Sequence, residues 1–242
     1  MSFYFKGISG KIPKTKNRRK TPAGSHQDRR ELQTRIEGPV MAYIMIRPDN
    51  DEATKITNGW GETVVWENPP VADLTGTLAT EMQLWAAMKA HPEAQSIVFY
   101  GHGELDNLTA QTERIEPAAA VIHAVEGGVL PVQLHGYKLY AVACYAGTKL
   151  GPALAKAGCK FIGYMREFWI PRGFEFKTGK VVNEGCVAWL IENQSQAQVI
   201  QLLNKRWDDL IDDLTFGKLA ESPEAFNAAA LFLNNKNALC CY

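Results

Sequence analysis

The 242-residue sequence carries 26 Lys and Arg against 26 Asp and Glu, with 46% apolar and 21% charged residues. This is an ordinary globular composition, and a chain of this length can bury a large core without disulfide or metal support. It excludes a fully disordered chain, a collagen-like repeat and a small disulfide scaffold. Apolar runs such as Met41–Ile46 are far shorter than the roughly 18 residues of a membrane span, so no span is expected.

Residues 1–38 form a basic segment that differs in composition from the rest of the chain. Residues 1–35 carry ten Lys or Arg and two acidic residues, so the remainder has an excess of acidic residues. The near absence of apolar residues in Lys11–Arg30 predicts a partly flexible segment, whereas alternation in Ser2–Gly10 favours a short strand. Because no Phe, Tyr or Trp interleaves the basic residues, we expect a solvated arm and not a nucleic-acid-binding surface.

Residues 39–242 are predicted to form a single domain in which short apolar runs alternate with helical patterns. Four buried strands are predicted, at Met41–Ile46, Ser96–Tyr100, Lys138–Ala143 and Lys160–Met165. Helices are predicted from Asp73 to Lys89, with Leu78, Met82 and Trp85 facing the sheet, at Pro117–Glu126 and at Thr148–Ala157, and a hairpin or ordered loop is predicted at Gly59–Trp66. Such alternation is typical of an α/β fold with a mostly parallel central sheet flanked by helices.

The C-terminal part, about residues 183–239, is predicted to be helical. After a loop at Arg166–Lys180, helices are expected at about Asn183–Glu192, Ser195–Leu214 and Ser222–Asn237. Cys240 and Cys241 are predicted to lie in a frayed tail. The five cysteines are odd in number and show no CxxC spacing, and the N-terminus lacks a long apolar signal core, so a reducing, cytoplasmic location is expected.

Two reactive side chains follow neighbouring strands of the predicted sheet. His102 comes directly after Ser96–Tyr100, and Cys144 comes directly after Lys138–Ala143, one β-α-β crossover later. Because the carboxyl ends of parallel strands meet at one edge of a sheet, the imidazole is expected to reach the thiol. Each residue alone would be interpreted as structural, but the pair in this order favours a catalytic dyad.

The residues that flank the pair fit nucleophilic catalysis. Gly103 leaves its N–H unobstructed, and together with the N–H of Cys144 it is predicted to form an oxyanion hole. The predicted helix Thr148–Ala157 begins shortly after Cys144, and a helix N-terminus with a nearby imidazolium lowers the pKa of a thiol. A nucleophile elbow would need glycine flanks and a downstream histidine, and a thiol phosphatase would need an arginine where Leu150 stands, so both classes are excluded.

Two sequence motifs resemble those of the caspase-like cysteine peptidase superfamily, which includes caspases, metacaspases, gingipains, separases and CHAT-domain peptidases. They are Tyr100-Gly101-His102-Gly103 and the stretch from Ala141 to Gly147. The sequence from Leu150 to Gly163 looks most like that of CHAT-domain peptidases. The resemblance to the superfamily covers roughly residues 40–165. Val142 and Ala146 depart from the motif of caspases proper, which argues against a true caspase and against an aspartate preference.

This resemblance implies a caspase-like sandwich and a cysteine endopeptidase that uses His102 and Cys144 on a protein substrate. It implies no cofactor and no metal. Because an unrestrained intracellular protease is hazardous, we expect a zymogen that is regulated by an activating or inhibitory protein partner or by proteolytic processing. The alternative is a catalytically inactive interaction module of the same fold, which binds a protein partner through Trp169 or the C-terminal helices.

The stretch after the fourth strand supplies the candidate substrate-binding residues. Arg166 and Glu167 both follow that strand, and alternation of side chains allows only one of them to point into the site. Glu167 would select a basic residue before the scissile bond, and Arg166 would select an acidic one. The acidic remainder of the chain favours a basic preference, with small or uncharged residues as the next choice. Trp169 and Phe168 are candidates either for a substrate wall or for a cap on the core.

Overall fold

A computed structural model describes residues 42–111, 120–124 and 129–242. The contacts that these residues make with one another place them in one compact unit, Val40–Tyr242. The basic segment of residues 1–38, with the strand predicted at Ser2–Gly10, lies outside the described residues. Within the described ranges, none of the helices combines the length and the apolar character that crossing a bilayer requires.

A six-stranded, mostly parallel sheet organises this unit. The described residues contain eight strands, six in this sheet and two in a separate pair: β1 (Tyr43–Arg47), β2 (Ala72–Thr75), β3 (Ser96–Tyr100), β4 (Asn107–Thr109), β5 (Ala120–His123), β6 (Lys138–Val142), β7 (Lys160–Tyr164) and β8 (Leu239–Cys241). The sheet has the order β2-β1-β3-β6-β7-β8, and every pair in it is parallel except β7 with β8. β4 and β5 pair antiparallel in a separate two-stranded sheet.

Helices cover both faces of the sheet, which confirms the predicted α/β class. They are α1 (Glu52–Glu67), α2 (Glu81–Ala90), α3 (Leu150–Lys156), α4 (Glu175–Leu190), α5 (Gln196–Thr215) and α6 (Ala225–Ala238). Successive strand residues point to opposite faces, so Tyr43 and Met45 join the core under α1, α4, α5 and α6. Ile44 and Ile46 join a second core, under α2, α3 and the β4–β5 pair.

Several of the predicted local structures are wrong, beginning with one loop and one helix. Gly59–Trp66 lies within α1, where both glycines tolerate helical geometry and Trp60 and Val64 are buried against the sheet. Ala120–His123, inside the helix predicted at Pro117–Glu126, is the strand β5. Its β-branched pair, Val121 and Ile122, is fully buried, and pairing with β4 overrides the local helical pattern.

Asp73 does not cap a helix, because it lies in β2 and faces a buried arginine. The Arg47 guanidinium donates to both carboxylate oxygens of Asp73, at 3.1 and 2.5 Å. Such a bidentate ion pair compensates the charge of Arg47, whose side chain is almost fully removed from water. The helix begins later, after Thr80, whose hydroxyl accepts from the Gln83 N–H.

The inward face of α2 differs from the predicted one. The predicted core stripe of Leu78, Met82 and Trp85 is exposed, with Met82 72% accessible. The side chains that face the sheet are Leu84, Ala87 and Met88.

The chain ends in a strand and not in a frayed tail. β8 pairs antiparallel with β7, with Cys240 opposite Gly163. Tyr242 closes the pairing by exchanging backbone hydrogen bonds with Phe161, at 3.0 Å each. The three predicted C-terminal helices are present, although the first of them begins at Glu175.

Leu84→Ala and Met82→Ala form a matched pair that tests the inward face of α2. Leu84 is fully buried, so its truncation should lower the free energy of unfolding by about 2–5 kcal/mol. Met82→Ala should change it by no more than about 0.5 kcal/mol. Chemical denaturation of the two variants measures the difference, and a larger loss for Met82→Ala would contradict this packing.

Candidate active site

His102 and Cys144 occupy equivalent positions beyond the ends of two adjacent strands. β3 and β6 pair in parallel with Tyr100 opposite Val142, so two further residues along each chain bring His102 level with Cys144. The Gly101 N–H donates to the Val142 carbonyl at 3.2 Å, which extends the pairing past the strand ends. The structure thus brings together the two residues that the sequence pairs.

Gly103 packs directly against the backbone of the cysteine. A Cβ at this position would lie 2.6 Å from the Cys144 carbonyl oxygen and 3.0 Å from the Cβ of Ala143. A side chain here would push the two strand ends apart. The absence of a side chain is therefore a requirement of the site.

Asp51 binds the histidine ring. Its Oδ2 lies 2.7 Å from His102 Nε2, and its Oδ1 accepts from the Thr54 N–H at 2.9 Å as the N-cap of α1. Burial raises the pKa of Asp51, but the hydrogen bonds from Thr54 and His102 together hold it below its ordinary value. An ionised carboxylate therefore accepts from Nε2–H, which leaves Nδ1 of the ring as the nitrogen with a lone pair.

Sequence reasoning missed Asp51, although a local signal was present. Asp51 ends a turn, and Thr54 stands three residues later at the start of α1, where the two form a capping box. The glycines at positions 59 and 61 masked the helix that this box opens. Because no helix is predicted there, Asp51 is interpreted as an ordinary turn residue.

The Cys144 sulfur contacts the peptide backbone of Phe168. Sγ accepts from the Phe168 N–H at 3.3 Å and lies 3.9 Å from the Phe168 carbonyl oxygen. Burial raises the pKa of the Cys144 thiol, and the Glu167 carboxylate raises it further, while the Phe168 N–H acts in the opposite direction. The net effect is a raised pKa, so the resting side chain is a protonated thiol.

The lowered thiol pKa that the sequence predicted is therefore wrong for this state. α3 begins at Leu150, six residues beyond Cys144, and so gives the sulfur no adjacent helix N-terminus. In the described part of the chain, His102 Nε2 pairs with Asp51, and no hydrogen bond joins the ring to the sulfur.

The two N–H groups that the sequence assigns to an oxyanion hole have different surroundings. The Gly103 N–H has no hydrogen-bond partner among residues 42–111, 120–124 and 129–242. The Cys144 N–H bonds to the sulfur of its own residue and acts to lower the pKa of that thiol. The next N–H, of Tyr145, donates to the Arg166 carbonyl at 3.0 Å. Tyr145 has a φ of 57°, a left-handed conformation that turns the chain sharply after the cysteine.

The predicted substrate-binding residues occupy different environments. The Glu167 charge acts on both Cys144 and the Tyr145 phenol, whose pKa is raised by burial and by Glu167. Arg166 is exposed, and its side chain forms no ion pair with any described residue. Trp169 is 39% exposed.

Phe168 caps the core instead of forming an open substrate wall. Its ring packs at 4.6 Å from that of Tyr164 and at 6.4 Å from that of Trp207. Both partners are fully buried. This packing leaves the backbone of Phe168, and not its ring, beside the Cys144 sulfur.

No family model matches the sequence, and a search of curated proteins returns no match. The resemblance to caspase-like peptidases therefore stays a sequence-based expectation. In the described ranges, no group of three or more His, Cys, Asp or Glu side chains is placed to hold a metal ion.

Substitutions of Asp51 should separate its capping role from its charge. Asp51→Ala removes the cap and should lower the free energy of unfolding by about 1 kcal/mol at pH 7, whereas Asp51→Asn keeps a good cap and should lose much less. Because the pKa of Asp51 is lower in the folded state, the ionised side chain stabilises the fold above pH ~4, and this contribution is lost as the pH falls through the folded-state pKa.

Denaturation of the wild type and both variants at pH 7 and at pH ~3 measures these effects. The difference between wild type and Asp51→Ala should shrink at the lower pH, modestly, because the Asp51 side chain is 52% exposed and its charge is screened. Equal losses for Asp51→Ala and Asp51→Asn would contradict the capping role.

Proposed function

We propose that this chain is a cysteine endopeptidase of caspase-like fold. The observation that carries the proposal is the register of β3 and β6, which sets His102 level with Cys144 at the carboxyl edge of a parallel sheet. The carboxylate of Asp51, bonded to Nε2 of the imidazole, adds the third group of an acid–base–nucleophile series. The resemblance of the sequence around both residues supports the same class.

The proposed reaction uses the ring nitrogen that Asp51 leaves free. With Nε2–H donated to Asp51, Nδ1 of His102 takes the proton of the Cys144 thiol as the thiolate attacks the substrate carbonyl. The N–H groups of Gly103 and Cys144 then donate to the oxyanion of the tetrahedral intermediate. His102 returns the proton to the leaving amine, and water hydrolyses the thioester with the same residue as base. The cycle needs no cofactor.

We propose that the described conformation is the resting form of a zymogen. The raised pKa of Cys144 favours the protonated thiol, the Phe168 N–H donates to the sulfur, and the His102 ring is hydrogen-bonded to Asp51 and not to the sulfur. Catalysis requires the ring and the sulfur to approach each other when substrate binds, because catalytic hydrogen bonds often form only in the complex. A protein partner or proteolytic processing would supply the change.

Substitution of the dyad should abolish proteolysis without unfolding the chain. Cys144→Ala removes the nucleophile, and His102→Ala should lower kcat/KM by about 10² to 10⁴. Cys241→Ala, at an exposed thiol on β8, is the matched control and should retain full activity. Cleavage of a peptide library by the four proteins, with and without limited proteolysis beforehand, is the measurement. Cleavage retained by Cys144→Ala would refute the assignment.

An inactive interaction module is the second candidate, and the raised pKa of Cys144 favours it, because a buried thiol is a poor nucleophile. Trp169 and the exposed Phe216 and Phe226 on the C-terminal helices would then contact a protein partner. Absence of cleavage under every condition, together with Cys144 alkylation that does not depend on His102, would favour the module.

For the peptidase, we propose a preference for a basic residue before the scissile bond. Glu167 is the charged side chain that acts on Cys144, whereas Arg166 points its charge to solvent without a partner in the described residues. A carboxylate beside the nucleophile favours a substrate Lys or Arg through charge pairing.

Glu167→Gln and Arg166→Gln form a pair that tests this preference. Glu167→Gln should reduce the kcat/KM of Lys and Arg substrates by about tenfold relative to that of uncharged substrates, the effect of one charge-assisted hydrogen bond. The ratio is the readout, because the Glu167 charge also acts on Cys144 and its loss changes the reactivity toward every substrate. Arg166→Gln should leave the profile unchanged. A wild-type profile confined to acidic positions, lost in Arg166→Gln, would assign the specificity to Arg166 instead.

A further inference from the structure

The segment Met165–Trp169, called the strap, joins β7 to the loop before α4 and lies between α6 and the cysteine. Its backbone hydrogen bonds go to two partners, the end of α6 and the turn after β6. At the end of α6, the Met165 N–H donates to the Ala238 carbonyl at 2.7 Å, Asn234 Nδ2 donates to the Glu167 carbonyl at 3.2 Å, and Asn235 binds Trp169. In the turn after β6, the Thr148 hydroxyl donates to the Met165 carbonyl, the Tyr145 N–H donates to the Arg166 carbonyl, and the Cys144 sulfur accepts from the Phe168 N–H.

Asn235 binds the strap through both the oxygen and the nitrogen of its carboxamide. Oδ1 accepts from the Trp169 N–H at 2.7 Å, and Nδ2 donates to the Trp169 carbonyl at 2.8 Å. The side chain is fully buried on the inward face of α6, in line with Phe232 and Ala238. A buried amide is costly unless its donor and acceptor are both paired, and here the strap pairs both.

One peptide plane connects this asparagine to the cysteine. The Trp169 N–H and the Phe168 carbonyl belong to the same planar, trans peptide unit, so they point in opposite directions. The N–H meets Asn235, and the carbonyl oxygen lies 3.9 Å from Cys144 Sγ. The Phe168 N–H, which donates to the sulfur at 3.3 Å, belongs to the preceding plane, Glu167–Phe168, whose carbonyl accepts from Asn234 Nδ2 at 3.2 Å.

We propose that Asn235 and Asn234 are positioning residues for the nucleophile: their carboxamides hold the two peptide planes on either side of Phe168 and thereby the Phe168 N–H on the Cys144 sulfur. The inference rests on the proposed function in treating Cys144 as the nucleophile. A hydrogen bond to a thiolate is stronger than one to a thiol, so the Phe168 N–H favours the reactive form. The Phe168 ring stays packed on Tyr164 and Trp207, so loss of Asn235 frees the peptide without uncovering the sulfur.

The pH profile of Cys144 alkylation tests the proposal. In a Cys241→Ser background, iodoacetamide labelling is followed by mass spectrometry over a range of pH. Asn235→Leu, branched like asparagine but apolar, frees one of the two planes and should raise the midpoint and slow labelling at neutral pH, by up to about tenfold, the effect of one lost hydrogen bond to a charged group. The other ionisable groups around the sulfur are unchanged, namely Asp51, His102, Tyr145 and Glu167.

A second variant keeps the test decisive if Asn235→Leu does not fold. Asn235→Asp retains the acceptor, and its protonated carboxyl can also donate to the Trp169 carbonyl, whereas its ionised form cannot. The labelling rate relative to wild type should therefore be near one at low pH and should fall as the carboxyl ionises. A substitution that only destabilised the fold would give a ratio of labelling rates that does not vary with pH.

Ala228→Gly is the control, at a buried position of α6 that makes no hydrogen bond to the strap. It should lower stability and leave the midpoint unchanged. An unchanged midpoint in Asn235→Leu, a constant rate ratio in Asn235→Asp, or an equal shift in Ala228→Gly would overturn the proposal. Labelling requires no peptide cleavage, so a shifted midpoint in a chain that cleaves nothing would support this contact while contradicting the peptidase.

Discussion

The parallel pairing of β3 with β6 is the constraint on which the site depends. Parallel strands in register end at the same level, so the residues that follow them meet without any further adjustment of the chain. Gly103 then allows the two strand ends to approach until one backbone lies against the other. Both neighbours in the sheet, β1 and β7, extend the same edge and contribute the segments that lead to Asp51 and to the strap.

Each half of the site is held by a different part of the fold. On the histidine side, the His102 carbonyl accepts from the Thr109 N–H at 3.0 Å, and Gly103 bridges to Leu108 of β4. On the cysteine side, the strap lies against the end of α6, and the aromatic ring of Phe168 anchors it in the core beneath α4, α5 and α6. The sheet separates the two cores, so the halves meet only at its carboxyl edge.

The strands β1, β3, β6 and β7 and the His102–Cys144 pair were predictable because each rests on a short, local signal. An apolar run of strand length and the residue that ends it are both legible without knowledge of the partner. The β4–β5 pair and β8 were not, since their stability comes from pairing with distant segments such as Gly163. Asn235 lies 66 positions from Trp169, and nothing in an otherwise apolar helix face marks which backbone its amide will meet.

The division of support between the two sides has a consequence for local unfolding. Proteins open in cooperative units, and an edge strand with the helix that precedes it is a natural unit of this kind. If α6 and β8 detached together, the strap would lose its partners at Ala238 and Asn235, and the thiol would lose its contact with Phe168. The imidazole would keep Asp51, which belongs to α1, and the β4 contact that holds its backbone. The site would therefore come apart asymmetrically, with the base remaining assembled while the nucleophile becomes mobile.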